Sequence, residues 1–424
     1  VRAPLYSEQA DEILEPAAIS EPYKLYARLR EQMPVARIGA SGVHAVSNWA
    51  LIDEALGREE DFSANLTGVL FRGHDGEPAT FDLSGSGATD VIATADEPHH
   101  SVHRNLSQPR MDARRIATME PRVRLWARDA LKPWLEAGGG DFVPIAEVVP
   151  ALAVAYLLGL PESDVSRFRV WAMMGGDMLA GEADAERLGF LATETAQMAR
   201  YIGEHFDAVY AAPDPDPDAP LLHALALGVH AGRIDRREAI GIAIVMFGAG
   251  GESTAALIGS TLRILAERPA LADQLRQEPA LIPRYIEEIV RLESPFNFHY
   301  RVVRRPCQLG GYDLAEGERL MLIWAAANRD PEIHEDPDQL RLDRKHPKKH
   351  MGFGRGAHFC IGAPLARLEA RVILEEALAA TSQIAPGKPI QGHDSHARYA
   401  ESIFIRRLEQ LELVASPTGG GSDA

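Results

Sequence analysis

A chain of 424 residues with 46% hydrophobic content can bury a large core, and no Gly/Ser linker divides it, so one domain over 1–415 with a disordered tail over 416–424 is expected. The 61 acidic residues outnumber the 44 basic ones, and a formal charge of -17 argues against nucleic acid and anionic membranes as partners. Two cysteines make no disulfide framework, 1–22 shows no basic-then-apolar leader, and the apolar run 148–160 is interrupted by Pro150 and too short to span a bilayer, so the expected compartment is a reducing cytoplasm.

In chain order, apolar residues recur at threes and fours over 21–32, 121–136, 188–211, 240–267 and 364–381, which predicts helices there. Strand-like stretches are short, at 43–47, 300–312, 319–323 and 403–414. The fold class is therefore mainly α with a smaller β region. Alternating Asp and Pro over 211–220 read as a surface loop between two helices. The helix at 240–267 contains Gly248-Ala249-Gly250-Gly251-Glu252-Ser253-Thr254, where glycines weaken the helix and an acid meets hydroxyls. Such an interior is costly without a function.

The strongest feature is Phe353-Gly354-Arg355-Gly356-Ala357-His358-Phe359-Cys360-Ile361-Gly362-Ala363-Pro364, a glycine-punctuated loop running into a helix. Gly354, Gly356 and Gly362 are expected to take positive φ and let the backbone approach a flat ligand, and Pro364 suits a first helical turn. Cys360 then precedes a helix N-terminus, where free amides and the helix dipole favour a thiolate able to ligate iron. The plain alternative is a buried, inert thiol; a zinc site is disfavoured because no second cysteine lies nearby.

This loop resembles the cysteine-ligand loop of the cytochrome P450 family, Phe-Gly-x-Gly-x-His-x-Cys-x-Gly, at every named position. The resemblance implies that family's fold, with haem b (iron protoporphyrin IX) between the long helix and the cysteine loop. Cys360 would be the metal ligand, its thiolate favouring O–O cleavage, while Cys307 has no matching role. Phe353, Gly354, Gly362 and Ala249 are the expected haem neighbours. Asp96-Glu97-Pro98-His99-His100-Ser101-Val102-His103-Arg104 is similar to the family segment whose His and Arg meet the haem carboxylates, which maps to His100 and Arg104. Arg301 and His358 complete that set, with Arg304 and Arg305 as competitors for the place of Arg301. Glu288 and Arg291, one turn apart, resemble the family's Glu-x-x-Arg helix and would hold the segment around Arg344.

On the 240–267 helix the resemblance implies an acid, Glu252, and an alcohol that relay protons toward dioxygen in a widened groove. The alcohol position holds Ser253 in place of the usual threonine; Thr254 follows about 100° further round the helix. Serine keeps the donor and acceptor but loses the methyl that restricts its rotamer. Two other readings use the same residues. Gly251-Glu252-Ser253-Thr254-Ala255 resembles a serine-hydrolase elbow if 240–247 is a strand, with Ser253 as nucleophile; the apolar pattern continuing through Ala255, Leu257, Ile258, Leu262 and Leu265 argues for a helix instead. A non-catalytic haem-binding sensor would not need Glu252 and Ser253.

The implied function is a haem-thiolate monooxygenase that hydroxylates or otherwise oxidises a small apolar organic substrate with O2. No flavin or iron–sulfur motif is present, so electrons from NAD(P)H would arrive through a separate ferredoxin and reductase. Arg110, Arg114, Arg115, Lys348, Lys349, Arg355 and Arg367 gather around segments that the family places on the cysteine side, where an acidic ferredoxin would dock. The substrate is expected to draw on 66–71, 173–179, 245–249, 296–298 and 402–404, with Leu70, Phe71, Met178, Val245, Gly248, Phe296, Phe298 and Ile403 as contacts. A terpenoid, aromatic, fatty or polyketide-like molecule suits that lining.

Overall fold

The computed structural model describes residues 8–85, 89–181 and 185–418, with all their side chains except those of Glu8, Gln9, Met178 and Ala185. Helices of eight or more residues are α1 Tyr23–Gln32, α2 Trp49–Leu56, α3 His99–Met111, α4 Glu120–Glu136, α5 Val143–Leu158, α6 Val165–Ala172, α7 Ala185–Ala211, α8 Leu221–His230, α9 Arg236–Ala266, α10 Pro269–Gln277, α11 Ile282–Leu292 and α12 Ala363–Ala380. The strands are β1 Val35–Ile38, β2 Val43–Val46, β3 Phe62–Ser63, β4 Gly68–Arg72, β5 Pro78–Asp82, β6 Gly139–Asp141, β7 His299–Val303, β8 Cys307–Leu309, β9 Tyr312–Leu314, β10 Arg319–Leu322, β11 Thr381–Pro386, β12 Ala397–Tyr399 and β13 Leu408–Pro417. The main sheet runs β1-β2-β10-β7-β3, antiparallel except for the parallel β2–β10 pair. β13 pairs with β11, β12 and β6 in a second sheet, and β4–β5 and β8–β9 are hairpins.

The centre is α9, 31 residues opened by a capping box in which Asp235 and Glu238 satisfy each other's backbone amides. Its first half (Ala239, Ile242, Ala243, Phe247) packs with Phe168 and Trp171 of α6, Ile202 and Phe206 of α7, and Leu225 of α8. Its second half (Leu257, Ile258, Leu262, Leu265) packs in another cluster with Trp126 of α4, Val149 of α5, Ile286 of α11 and Leu374 of α12. Each buried Leu, Ile, Val or Phe among them contributes roughly 1.5–3 kcal/mol by leaving water. Residues 248–254 lie at the junction of the two cores. Among the described residues α9 alone is long and apolar enough to cross a membrane, but 56% of that stretch is buried against its neighbours.

The single helix expected over 240–267 is present: α9 is regular α-helix through its glycines. The glycines let neighbouring helices approach: a Cβ at Gly250 would sit 2.9 Å from Val154 Cγ2 of α5, and one at Gly251 would collide with the Ala172 side chain of α6. The strand expected over 300–312 splits into β7 and the β8–β9 hairpin, whose turn uses Gly310 and Gly311 at φ +57° and +81°. Of the stretch 403–414 only the part from Leu408 onward is strand, with Ile405 making a lone bridge to Phe296. β13 continues through Ser416 and Pro417, paired with Gln383 and Thr381, so these two residues are not the disordered tail expected from 416; residues 419–424 lie outside the described residues.

Candidate functional site

The cysteine loop is shaped by its backbone. Gly354 and Gly356 take φ +66° and +74°, and the Cys360 amide donates back to the Phe353 carbonyl at 2.8 Å. Gly362 departs from expectation: its φ is −82°, the N-cap of α12. A Cβ there would make only ordinary contacts, 3.7 Å from the Cys360 sulfur. Cys360 is half-buried by area and lines a cavity. Burial therefore pushes the free thiol's pKa up, and outweighs the Gly362 and Ala363 amides and the Arg367 and Arg104 charges that favour the anion. The expected helix-end stabilisation is present, but it does not by itself make a thiolate; a cation at the sulfur would.

The cavity wall brings together His100, Arg104, Ala249, Arg301, Phe353, Gly354, His358, Cys360 and Gly362, with Ser253 and Thr254 on its α9 side. The rings of His100 and His358 stack at 4.0 Å between centroids, and His100 Nε2 and His358 Nδ1 are buried without a partner among the described residues. Arg301, 8% exposed, donates to the adjacent Tyr300 carbonyl at 2.7 Å and to nothing else among the described residues, while Arg104 reaches the Phe359 carbonyl at 2.7 Å. Burial pushes the pKa of Arg301 down to about 10, and burial with the Arg301 charge pushes His358 down to about 3. Two orphaned imidazole nitrogens beside the buried Arg301 guanidinium fit a flat ligand that carries carboxylates. Haem is such a ligand. The competitors are otherwise engaged, Arg304 with Asp96 and Arg305 with Asp61.

Behind α3, Glu238 Oε1 lies 3.1 Å from His99 Nδ1 and 3.2 Å from His103 Nε2. The acid that caps α9 thus also ties down the helix bearing His100 and Arg104. Behind the cysteine loop, Arg291 meets Glu288 through two bonds of 2.8 and 2.9 Å, both residues being 1% exposed. Arg344 pairs with Glu288 at 2.9 Å and donates to the carbonyls of Glu335, Asp336 and Gln339. Next to this pair, Glu287 accepts from Arg367 at 2.6 Å and contacts His350 Nε2 at 2.8 Å. The Arg367 guanidinium lies over the Phe353 ring. Despite burial, His350 and Arg367 hold the Glu287 carboxyl down at about 2.

Glu252 does not face the cavity with Ser253. Adjacent residues on a helix point about 100° apart, and the fully buried Glu252 carboxylate accepts from the Gly176 amide at 2.6 Å and Arg407 Nε at 2.9 Å. Burial, opposed by Arg407 and Gly176 and aided by Asp177, pushes its pKa up to about 7. Ser253 Oγ donates to the Ala249 carbonyl at 2.6 Å. The hydrolase alternative fails here, because 240–247 is helix rather than strand and Ser253 lies mid-helix instead of on a strand-to-helix turn.

Adjoining this cavity is an apolar chamber of about 270 Å³. Val245, Gly248 and Phe296 line it as expected. Leu70, Phe71, Phe298 and Ile403 are absent from its wall. Leu70, Phe298 and Ile403 are sealed in the core beside the main sheet, and Phe71 meets Phe81 across the β4–β5 hairpin at 6.2 Å. The side chain of Met178 lies outside the described residues. Trp171, Thr195, Met198 and His299 belong to the wall and were not expected. Only His299 had a sequence signal: in a strand it shares a face with Arg301, two residues on.

The Cytochrome P450 family model matches residues 195–380. The chain is 40% identical over 406 residues to Cytochrome P450 144 of Mycobacterium tuberculosis, spanning 94% of this chain and 89% of that one. It is 30% identical over 383 residues to the erythromycin C-12 hydroxylase of Saccharopolyspora erythraea, spanning 89% and 90%. The solved structure of substrate-free CYP150A6 from Mycobacterium marinum superposes with a TM-score of 0.81 at 29% identity, over 97% of this chain and 100% of that one. A fold of this kind is that of the bacterial haem-dependent oxidoreductases. The chain belongs to the cytochrome P450 family: it is a monooxygenase, and haem b is its cofactor.

Proposed function

We propose that this chain is a haem-thiolate monooxygenase in which Cys360 ligates the iron and a small apolar organic substrate occupies the chamber beside α9. The observation that carries this reading is that Cys360, Ser253 and Thr254 line one cavity together with Arg301 and with His100 and His358, each of which has a buried ring nitrogen without a partner among the described residues. His100, Arg301, His358 and Arg104 would hold the carboxylates, while Ala249, Phe353, Gly354 and Gly362 would flank the ring. Bound haem supplies dioxygen activation. The chain's own groups exclude water, orient the substrate and deliver protons. Ser253 or Thr254 presents a hydroxyl to the cavity, and Glu252, with a pKa of about 7, can hold or release a proton at neutral pH. To reach the hydroxyls it must leave Arg407 and the Gly176 amide.

Electrons would come from NAD(P)H through a reductase and an acidic ferredoxin on the cysteine face. Of the basic residues expected there, Arg115 pairs with Asp218, Arg355 with Asp53 and Arg367 with Glu287, and Arg110 is near the carbonyls of Ala219 and Asp216. Arg114, Lys348 and Lys349 are exposed, as is Phe359 at 41%, the neighbour of Cys360. These suit a weak, fast, charge-steered encounter. A single catalytic domain and a cytoplasmic location complete the proposal. The likeness to an erythromycin hydroxylase keeps polyketides in the substrate class alongside terpenoid, aromatic and fatty molecules.

The test is turnover with NAD(P)H, ferredoxin and reductase under isotopically labelled dioxygen, using ligands first selected by their effect on the haem spectrum. One labelled oxygen atom per oxidised product, and reduction that slows at high salt, are expected. Unlabelled product, or no NAD(P)H-linked oxidation of any ligand that perturbs the haem, would overturn the proposal.

A further inference from the structure

One group in the chamber wall has its proton placed by geometry. Trp324 Nε1, a nitrogen that can only donate, lies 2.7 Å from His299 Nδ1. Nδ1 is therefore the acceptor, and a neutral imidazole must carry its hydrogen on Nε2. Burial, with the Arg301 charge, pushes His299 down to about 3, so the ring is neutral at working pH. Phe296, Phe404 and Trp324 box the imidazole, with ring centroids at 5.4, 5.6 and 5.9 Å. His299 lines both the chamber and the cysteine cavity. Its Nε2 has no hydrogen-bond partner among the described residues and is not one of the sealed polar atoms, so it opens into that space.

The neighbouring polar groups are placed differently. Tyr300 Oη serves as an acceptor, taking the Leu70 amide hydrogen at 3.0 Å. Arg301, His100 and His358 also line a separate rim pocket beside Asp96 and Glu97, and His299 does not. The donors suited to haem carboxylates thus meet at one edge that lacks His299, while in the chamber His299 lies among mainly apolar residues, with Arg301 and Tyr300 also in the wall.

Resting on the monooxygenase reading, we propose that His299 Nε2–H is a specificity-determining donor: it selects substrates whose apolar frame carries an acceptor oxygen such as a ketone, ester or ether, and orients that frame with respect to Cys360. An acceptor-free hydrocarbon would leave this N–H unpaired on binding, which a buried site penalises.

The test uses the haem-loaded full chain and matched pairs of ligands that differ by one carbonyl, such as 4-phenylcyclohexanone and phenylcyclohexane, with similar aliphatic, terpenoid and macrocyclic pairs. Affinity is read from the spin-state shift for wild type, His299→Phe and His299→Gln. The expected result is a preference of about 3–10-fold for the carbonyl member in wild type, lost in His299→Phe through the carbonyl member alone and partly restored in His299→Gln. Three results would overturn the proposal: no pair favours the carbonyl in wild type, the preference survives in His299→Phe, or His299→Phe loses haem, which would assign Nε2 to a haem carboxylate. The reduced carbon-monoxide spectrum of the same proteins is the separate check on the monooxygenase reading, since without a thiolate band in wild type that reading fails whatever the ligand preferences are.

Discussion

On the cysteine side of the central cavity one continuous stretch, 352–366, supplies the loop, the thiol and the start of α12. Its path is set by two left-handed glycines and by the bond from the Cys360 amide to Phe353. Buried charge stands behind it, with Glu288 paired to Arg291 and Arg344 and Glu287 to His350 and Arg367. The chamber across the cavity is assembled from α6, α7, α9, the 296–301 stretch and Phe404, chiefly by apolar packing. The first side is held by backbone geometry and ion pairs, in which single losses propagate. In the second, side chains can be exchanged one at a time without moving the frame that carries the cofactor.

The largest break in this contrast is expected from Glu288→Ala. It leaves Arg291 buried without its carboxylate and frees Arg344, which costs about 3–5 kcal/mol when one partner of a buried pair is removed. Haem content per chain and the thermal midpoint should both fall, and a variant with full haem would show that the pair does not support the loop.

Glu252→Gln should act on the other side: haem is retained and turnover drops by about 100-fold if the acid delivers protons. The pH profile gives the sign. With a pKa of about 7, the carboxyl is protonated below neutrality and anionic above it, so the wild-type rate should decline as pH rises through 7. The variant's rate should be flat. An unchanged pH limb in Glu252→Gln would remove this residue from proton delivery.

The smallest effect is expected from Phe71→Ala. That ring lies on the β4–β5 hairpin against Phe81, away from the chamber, so ligand affinity should change by less than about twofold. Phe296→Ala, in the wall itself, should weaken apolar ligands by about tenfold. Equal effects of the two would mean that the hairpin reaches the substrate.

The same contrast explains what could be read without coordinates. The cysteine loop was legible because its chemistry is local: glycines, Pro364 and the thiol sit at fixed spacings in one short stretch. The five helices with a clear apolar stripe were legible too. α5 was not, because Val143–Leu158 is apolar almost all round and shows no polar face to give it a period. Leu70 and Phe71 were expected in the chamber as part of an apolar run, but alternation in β4 turns one into the core and the other to its hairpin partner. Glu252 stood out in the sequence as an acid inside an apolar helix, while its partner Arg407 lies 155 residues away and no local pattern could name it. The chamber depends on such distant meetings.

The most direct measurement is the carbon-monoxide difference spectrum of dithionite-reduced protein, wild type beside Cys360→Ala. Wild type should show the strongly red-shifted Soret band of an axial thiolate, and the variant should lack it. The same band in both proteins, or a haem-loaded wild type without it, would contradict Cys360 as the iron ligand.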